Sequence, residues 1–221
     1  MERNLAGIAV SVAFVALVML LSTLLSKRGL LGPEGSRKLI HIGVSNWWLV
    51  AMAFFDSPIW AAAVPVLFIA VNTLSYRRGL ISAMERQGEK DSLGTVFFPV
   101  SLTILSLVCF GRYSEPYIGG LGVLIMGWGD GLAAIIGMRF GKKSASWRLI
   151  RRKTPEGCLC MLAVSFAVAF LILSVYAPEG ALPKALVLAV FATVVEAFSS
   201  NGTDNLTVPL LTPLFYQLIL M

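Results

Sequence analysis

Charged residues are scarce in this sequence. Asp, Glu, Lys and Arg make up only 14% of its 221 residues, whereas hydrophobic residues make up 57%. A soluble domain has about a quarter of its residues charged, so this composition excludes an ordinary soluble protein. It indicates an all-α fold, a polytopic membrane helix bundle. The length suits one catalytic domain, 1–221, without a separate soluble module.

Several common site motifs are also missing. The chain has one histidine, His41, and three cysteines, of which Cys158 and Cys160 form an isolated C-x-C. No usual zinc pattern can be assembled from this set. There is no G-x-x-x-x-G-K-[ST] sequence, no Ser/His/Asp set and no H-E-x-x-H. Any nucleotide must therefore be bound without a P-loop. No feature points to a nucleic-acid partner.

Hydropathy predicts eight apolar segments that could span a membrane. The first is too long for the core of a signal peptide, and its flanking basic residues, Lys27 and Arg28, follow it rather than precede it. We therefore interpret it as a retained helix. The eight segments are approximately 5–25, 39–55, 59–76, 94–111, 118–138, 156–176, 183–198 and 207–221.

Basic residues are distributed unevenly over the loops between these segments. The loops 26–38, 77–93, 139–155 and 199–206 carry 15 of the 18 Lys and Arg residues. Positively charged loops favour the cytoplasmic side of a membrane, so we expect these loops inside and both termini outside. Such a face attracts anionic lipid head groups or nucleotide phosphates. The alternative is that the charges only set the topology.

Asp130 lies inside the predicted span 118–138. A carboxylate at membrane depth costs about 2.5 to 3.5 kcal/mol even on insertion scales, so such a residue usually faces a protein-lined interior and marks a site. Gly127, Gly129 and Gly131 are expected to break or widen the helix beside it. The alternative is a structural acid paired with a buried arginine. We expect no basic residue of another span at a comparable depth.

Small residues recur every four positions through the same segment. Gly129, Ala133, Gly137 and Gly141 would share one helix face. A face of this kind allows two membrane helices to approach closely. We therefore predict that this helix packs tightly against a neighbour.

Two further motifs lie at predicted helix starts. Spacings of three and four place Arg37, Lys38 and His41 on neighbouring faces of one turn, where they could hold a phosphate or move a proton. The alternative is an interfacial anchor with a histidine whose hydrogen bonds are all made within the protein.

Gly94 and Thr95 follow a charged loop at another predicted helix start, and the free N–H groups at a helix start suit an anion. From the spacing alone, ordinary capping is the better explanation of this second motif.

The loop before the sixth predicted span is strongly basic. Thr154 as N-cap, Pro155 at the first helical position and Glu156 in the first turn, followed by Gly157, form a helix start. Cations beside a helix N-terminus form a cradle for phosphates, although Glu156 can merely favour the helix dipole. The cationic residues expected at phosphates are Lys142, Lys143, Arg152 and Lys153.

Two more acids flank the last loop. Glu196 lies within a turn of the end of its predicted helix, and Asp204 and Asn205 precede the last span. Glu196 could be an interfacial acid and Asp204 an N-cap. Together with Asp130, however, they would place three carboxylates at one side of the bundle. Mg²⁺ is typically held by one or two carboxylates plus substrate phosphates, so we predict a magnesium site formed by Asp130, Glu196 and Asp204.

This ordered set of motifs resembles the membrane-embedded isoprenoid-alcohol kinases, the dolichol, phytol and farnesol kinase family. The resemblance runs from about residue 36 to the end and leaves the first helix outside. This chain departs from the family at Cys158, where a serine commonly follows Glu-Gly. The matching residues are Arg37-Lys38 with His41, Gly94-Thr95 with Phe98-Pro99, Gly129-Asp130-Gly131 with Ala133-Ala134 and Gly137, Lys153-Thr154 with Glu156-Gly157, and Glu196-Ala197 with Asp204 to Pro209.

The resemblance implies transfer of the γ-phosphoryl group of a nucleotide, usually CTP, to the hydroxyl of a long-chain isoprenoid alcohol. CTP would enter from the cytosol and the alcohol from the bilayer. Catalysis of this kind is mostly positioning and charge neutralisation. The expected catalytic residues are Asp130, Lys153, His41 and Asn205, and either Asp130 or His41 could deprotonate the alcohol.

Two other functions remain open. The first is a CTP-dependent diacylglycerol kinase or a phosphatidate cytidylyltransferase, although the cytidylyltransferase signature, K-R-x(4)-K-D with a later P-G-[HQ]-G-G, is not in the chain. The second is a transporter that uses the acids as an ion site. Its predicted membrane acids lie on one side only, and no internal repeat of the kind many transporters show is visible.

Overall fold

The computed structural model describes residues 1–78, 94–111, 115–141, 153–199 and 202–221. Within these ranges the chain is helical and contains no strand. The helices are α1 (Glu2–Lys27), α2 (Pro33–Ser45), α3 (Trp47–Phe54), α4 (Pro58–Arg78), α5 (Gly94–Cys109), α6 (Pro116–Leu124), α7 (Gly131–Phe140), α8 (Pro155–Tyr176), α9 (Ala181–Phe198) and α10 (Asp204–Phe215).

Short links join some of these helices into longer segments. Asn46 alone separates α2 from α3, and a π-helical segment, Ile125–Asp130, joins α6 to α7. A second π-helical segment, Tyr216–Leu220, extends α10. The described residues therefore form eight helical segments, which coincide with the eight apolar segments predicted from hydropathy. The all-α membrane bundle is confirmed.

Fewer segments than expected meet the requirements for a membrane span. In the described part of the chain, four helices are long and apolar enough: Glu2–Lys27, Pro116–Phe140, Pro155–Tyr176 and Ala181–Phe198. Two shorter apolar helices, Pro58–Leu74 and Gly94–Cys109, accompany them. The count is thus lower than the eight spans expected, because the apolar parts of α4 and α5 and the last segment are short and the α2–α3 segment is polar at its start.

Local sequence explains where the helices begin. Thr154 caps α8 by accepting a hydrogen bond from the Gly157 backbone N–H at 3.1 Å, as its position predicted. Proline occupies the first position of this helix and of α2 and α6, where its missing N–H costs nothing. Gly180 precedes α9 with a positive φ of 64°, which a glycine adopts without strain.

The segment Pro116–Phe140 forms the centre of the bundle. In its most apolar window 61% of the residues are buried, against 17% to 33% for the other three candidate spans. It packs against α2, α5, α8 and α10, while α8 also packs along α9 and α4 along α5. Trp47 and Trp48 of α3 and Leu121 and Met126 of the central segment are completely buried. The hydrophobic core therefore surrounds the segment that carries Asp130.

Glycine allows α10 to contact the central segment backbone to backbone. A Cβ atom at Gly122 would lie 2.2 Å from the Pro209 carbonyl oxygen and 2.7 Å from the Pro213 ring. Neither neighbour can rotate away, since one is backbone and the other a fixed ring. Gly35 of α2 offers a contrast, because its Cβ would meet only the Leu31 side chain at 3.4 Å.

We expect Gly122→Ala to destabilise the bundle by about 1 to 3 kcal/mol, the usual cost of overpacking. The protein is heated in detergent, and size-exclusion chromatography then measures the fraction that remains monodisperse. Gly35→Ala is the matched control and should be neutral or mildly stabilising, since alanine has the higher helix propensity. Equal heat resistance of Gly122→Ala and the unchanged protein would contradict the close packing of α10.

Candidate active site

Asp130 ends the π-helical segment at the centre of the bundle. Gly127 and Gly129 lie within this wider helical turn, and Gly131 comes directly after it. The prediction of a widened helix beside these glycines is therefore confirmed. The residue is 5% exposed. A buried carboxylate requires charged partners to remain ionised, and α2 and the start of α8 supply them.

Lys38 is the nearest partner of Asp130. Its Nζ donates a hydrogen bond to Asp130 Oδ2 at 2.5 Å, and both side chains are almost inaccessible. The expectation that no basic residue of another span lies at this depth is therefore wrong. The error arises at the start of the second segment, which was predicted at residue 39, whereas α2 begins at Pro33 and carries Lys38 into the bundle.

His41 lies one helical turn beyond Lys38 on the same face of α2. Its Nε2 atom is 3.8 Å from Asp130 Oδ2. This nitrogen is buried and has no hydrogen-bond partner among the described residues. The ring packs against Phe98 with the two ring centres 4.8 Å apart. A buried imidazole nitrogen without a partner is costly, so it marks a place where a ligand group could bind.

Lys153 joins all three predicted acids. Its Nζ donates a short hydrogen bond to Glu196 and lies 3.9 Å from Asp130 Oδ1 and 3.8 Å from Asp204 Oδ2. Burial alone would lower the pKa of Lys153, but the carboxylates of Glu196, Asp130 and Asp204 outweigh this effect and raise it. The ammonium group therefore stays charged and links the central segment to the end of α9 and the start of α10.

The small-residue face of α7 positions α8 beside this cluster. A Cβ atom at Gly129 would lie 2.5 Å from Met161 Sδ, and one at Gly137 would lie 2.9 Å from Thr154 Oγ1. Gly157 on α8 approaches the Ala133 carbonyl in the same way. The predicted close packing is confirmed. It brings Lys153, which directly precedes Thr154, over Asp130.

Gly131 lets α2 pack closely against the other side of the central segment. A Cβ atom there would lie 2.4 Å from Ile42 Cγ1 of α2. At Gly127 it would lie 2.0 Å from Ser45 Oγ. Both glycines therefore let α2 approach the π-helical segment, which is the approach that places Lys38 and His41 next to Asp130.

A cavity of about 140 Å³ adjoins the cluster between α1, α2, α4, α5 and α10, and we call it the apolar cavity. Five residues predicted for the site line it: Arg37, His41, Gly94, Thr95 and Asn205. Arg37 pairs with Glu34 at 2.5 Å rather than with the three acids. The Thr95 carbonyl accepts a hydrogen bond from Asn72 Nδ2 at 2.8 Å.

Asn205 and Asp204 form the start of α10. Asp204 Oδ1 accepts hydrogen bonds from the Asn205 backbone at 3.0 Å and from the Asn205 amide at 3.2 Å. Asp204 Oδ2 faces Lys153 instead. Asp204 therefore has a structural role at the helix start as well as a position in the cluster.

Some predicted residues are placed elsewhere. Lys142, Lys143 and Arg152 lie outside the described residues. One carboxylate oxygen of Glu156 is buried and finds no hydrogen-bond partner in the described ranges. Sequence reasoning missed Asn72, although an amide within the apolar run Pro65 to Leu74 is a signal that could have revealed it. It also missed the apolar cavity, which has no sequence signature.

The cluster suits a cation in charge and in donor chemistry. Among the described residues, three carboxylates face two ammonium groups: Lys153 Nζ lies within 4 Å of all three, and Lys38 Nζ bonds to Asp130. One negative charge is left over, and carboxylate oxygens are ligands that Mg²⁺ prefers. No three His, Cys, Asp and Glu side chains of the described ranges form a metal site by themselves, because the acids converge on Lys153. The magnesium site stays a prediction.

Comparison with known proteins identifies the family. The chain is 34% identical over 217 residues to a phytol kinase of Synechocystis sp., an alignment that covers 92% of this chain and 87% of the relative. The chain belongs to the isoprenoid-alcohol kinase family. Members of this family also include a probable chloroplastic phytol kinase of Glycine max, 34% identical over 209 residues that cover 85% of this chain and 68% of the relative.

One relative is named for a different alcohol. A chloroplastic farnesol kinase of Arabidopsis thaliana is 26% identical over 210 residues, covering 86% of this chain and 67% of the relative. No family model matches the chain, and no solved structure is similar to it. The resemblance drawn from the motifs is confirmed, and the chain is an enzyme, a phosphotransferase.

We expect Lys38→Met to destabilise the fold by about 3 to 5 kcal/mol, since it leaves Asp130 as a buried carboxylate with a missing partner. The double variant Lys38→Met/Asp130→Asn should recover much of this loss. Thermal unfolding in detergent measures both effects. Arg37→Met, on the same turn but paired at a partly exposed position, is the control and should cost about 1 kcal/mol or less. A double variant as unstable as Lys38→Met would refute the pairing.

Proposed function

We propose that this membrane enzyme transfers the γ-phosphoryl group of CTP to the hydroxyl of a long-chain isoprenoid alcohol such as phytol, farnesol, geranylgeraniol or a polyprenol. Membership of the kinase family supports the phosphotransfer and the class of acceptor. One structural observation carries the location of the chemistry. Asp130, Glu196 and Asp204 converge on Lys153, and Lys38 and His41 lie against Asp130.

The proposed reaction has one transfer step. The alcohol oxygen forms a bond to the γ-phosphorus as the bond from that phosphorus to the β,γ-bridging oxygen breaks, and CDP leaves. The hydroxyl proton passes to a base on the protein. Phosphoryl transfer of this kind needs positioning and charge neutralisation more than covalent help from side chains, and a compact cluster of fixed charges provides both.

Each charged group has a role in this scheme. Asp130, Glu196 and Asp204 would hold Mg²⁺, directly or through water, and the ion would supply positive charge to neutralise the phosphates. Lys153 and Lys38 fix the orientation of those carboxylates. Lys142, Lys143 and Arg152 would bind the phosphates from the loop, and Asn205 would orient one of them.

Either His41 or Asp130 would accept the alcohol proton. Their facing atoms are 3.8 Å apart. This is less than the span of two hydrogen bonds of about 2.8 Å laid end to end, so a single hydroxyl oxygen can bond to both. The unpartnered Nε2 of His41 supports a place for the hydroxyl at this point.

The sidedness of the site is part of the proposal. The basic loops of the sequence favour the cytoplasmic side, and the cluster lies where Lys153 at the start of α8, the end of α9 and the start of α10 meet. We therefore place the active site at the cytoplasmic face, with both termini outside. Nucleotide would enter from the cytosol and alcohol from the bilayer.

The first experiment offers purified protein in detergent γ-labelled CTP, with and without Mg²⁺, and a panel of acceptors. The panel contains phytol, farnesol, geranylgeraniol, a polyprenol and diacylglycerol, and ATP is the alternative donor. We expect label on an isoprenoid alcohol with CTP and Mg²⁺. Label only on diacylglycerol would support the diacylglycerol kinase instead, and pyrophosphate release would support a cytidylyltransferase. No labelled lipid from folded protein would contradict the proposal.

We expect Asp130→Asn to lower kcat by about 100-fold or more, the scale on which single electrostatic groups of a transition state contribute. Asparagine keeps the shape of the side chain but leaves Lys38 without its charged partner, so the variant should be less heat-stable, and its rate is measured on the fraction that elutes as folded protein. The measurement is initial rate under saturating CTP and alcohol. An Asp130→Asn protein that folds and retains full turnover would exclude the scheme.

Lys153→Met should abolish measurable turnover, whereas Lys153→Arg should retain part of it, because an arginine keeps the charge but not the compact geometry of the ammonium. Lys27→Met, at the exposed end of α1, is the matched lysine control and should leave the rate unchanged. Equal rates for Lys153→Met and Lys27→Met would show that the centre of the carboxylate cluster has no part in catalysis.

A further inference from the structure

The phosphoryl-transfer scheme uses two residues that line the apolar cavity, His41 and Asn205, but gives the cavity itself no role. The residues that line it come from five helices, α1, α2, α4, α5 and α10, and most of them are apolar, among them Val15, Met19, Phe68, Val71 and Leu102. The few polar side chains around it could form hydrogen bonds with only a small part of a polar ligand. The cavity therefore suits a hydrocarbon ligand.

The polar residues of the cavity come from four helices. Thr95 and Asn205 belong to the first turns of α5 and α10, Arg37 and His41 to the second and third turns of α2, and Asn72 of α4 donates a hydrogen bond to the Thr95 carbonyl. The apolar lining residues of α2 and α5, such as Val44 and Leu102, lie further along the same helices. The cavity thus has a polar end and an apolar body.

His41 is the residue shared by the cavity and the carboxylate cluster. It lines the cavity, and its Nε2 is 3.8 Å from Asp130. That nitrogen is buried and lacks a hydrogen-bond partner in the part of the chain that the structure describes. A ligand in the cavity with one hydroxyl at its end would supply the missing partner.

The volume indicates how much of a ligand fits. An apolar cavity of about 150 Å³ binds a molecule the size of benzene, and this one measures about 140 Å³. It can therefore enclose the hydroxyl-bearing end of a prenyl chain but not a chain of twenty carbons. Val71 lines the cavity and is 43% exposed, so the cavity reaches the outer surface of the bundle beside α4.

We propose that the apolar cavity is the acceptor site, in which the first prenyl units of the isoprenoid alcohol bind with the hydroxyl at His41 Nε2 and the tail leaves past Val71 into the bilayer. This inference rests on the proposed function for the identity of the ligand. It also gives α1, which lies outside the motif-bearing part of the chain, a role as one wall of the acceptor site through Val15 and Met19.

The test narrows the exit of the cavity and compares alcohols of different length. Val71→Trp should raise the KM for phytol about tenfold relative to the KM for the five-carbon alcohol prenol, because even a small misfit in an apolar pocket costs about tenfold. Val66→Trp is the matched control. Val66 lies on the same helix, is 50% exposed and does not line the cavity, so it should leave both values unchanged.

A second pair of variants covers the case in which Val71→Trp does not fold. Met19→Trp narrows the cavity from α1, and Leu17→Trp adds the same bulk at a 60% exposed position of α1 outside it. The expected result is the same shift in the phytol-to-prenol KM ratio for the first variant only. Identical ratios within each folded pair would overturn the proposal.

Binding is also measured without turnover. A diazirine-bearing farnesol analogue, irradiated with the unchanged protein in detergent, should label peptides of α1, α2, α4 or α5 that line the cavity, and excess phytol should compete. Labelling confined to helices that do not line the cavity would overturn the acceptor site even if the enzyme phosphorylates alcohols. Competed labelling at the cavity without phosphorylation of any alcohol would sustain the site and refute the proposed function, so the two failures are distinguishable.

Discussion

The burial of Asp130 is the constraint on which the site depends. A carboxylate that is 5% exposed in an apolar bundle must be surrounded by cations or hydrogen-bond donors. Lys38 from α2 and Lys153 from the start of α8 meet this requirement from two sides. Lys153 then also holds Glu196 and Asp204. One buried charge therefore fixes the relative positions of α2, α8, α9 and α10 around the central segment.

Glycines make these short distances possible. The ammonium of Lys38 reaches Asp130 at 2.5 Å because Gly127 and Gly131 leave room for Ser45 and Ile42 of the same α2 helix. On the other side Gly137 leaves room for Thr154, the residue after Lys153. Larger side chains at these positions would separate the helices and leave the charges apart. Packing and electrostatics are therefore coupled, since each close approach of backbones carries a charged residue to the cluster.

The sequence predicted the parts of this arrangement that follow from local patterns. The eight helical segments, the widened helix at Asp130, the Thr154 cap and the small-residue face all depend on residues close together in the chain, and all are confirmed. The Lys38–Asp130 pair was missed, because the apolar segment predicted from hydropathy begins six residues after the start of α2, so Lys38 was counted with the basic residues outside the membrane and not at the depth of Asp130. The apolar cavity could not be predicted, since its walls come from helices distant in sequence and its volume depends on how their side chains pack.

The position of His41 gives the two compartments of the molecule a common boundary. On one side lie the carboxylates and ammonium groups, which suit phosphates and a metal ion, and on the other lies the apolar cavity, which suits a prenyl chain. A lipid kinase has to bring a charged nucleotide and a water-insoluble alcohol to one point. It must do so without placing the nucleotide in an apolar environment or the alcohol chain in a polar one. In the proposed function that point is the space next to His41 Nε2 and Asp130. The buried nitrogen that costs stability in the free enzyme is then the group that selects a hydroxyl, because an alkane without one would leave it unpaired.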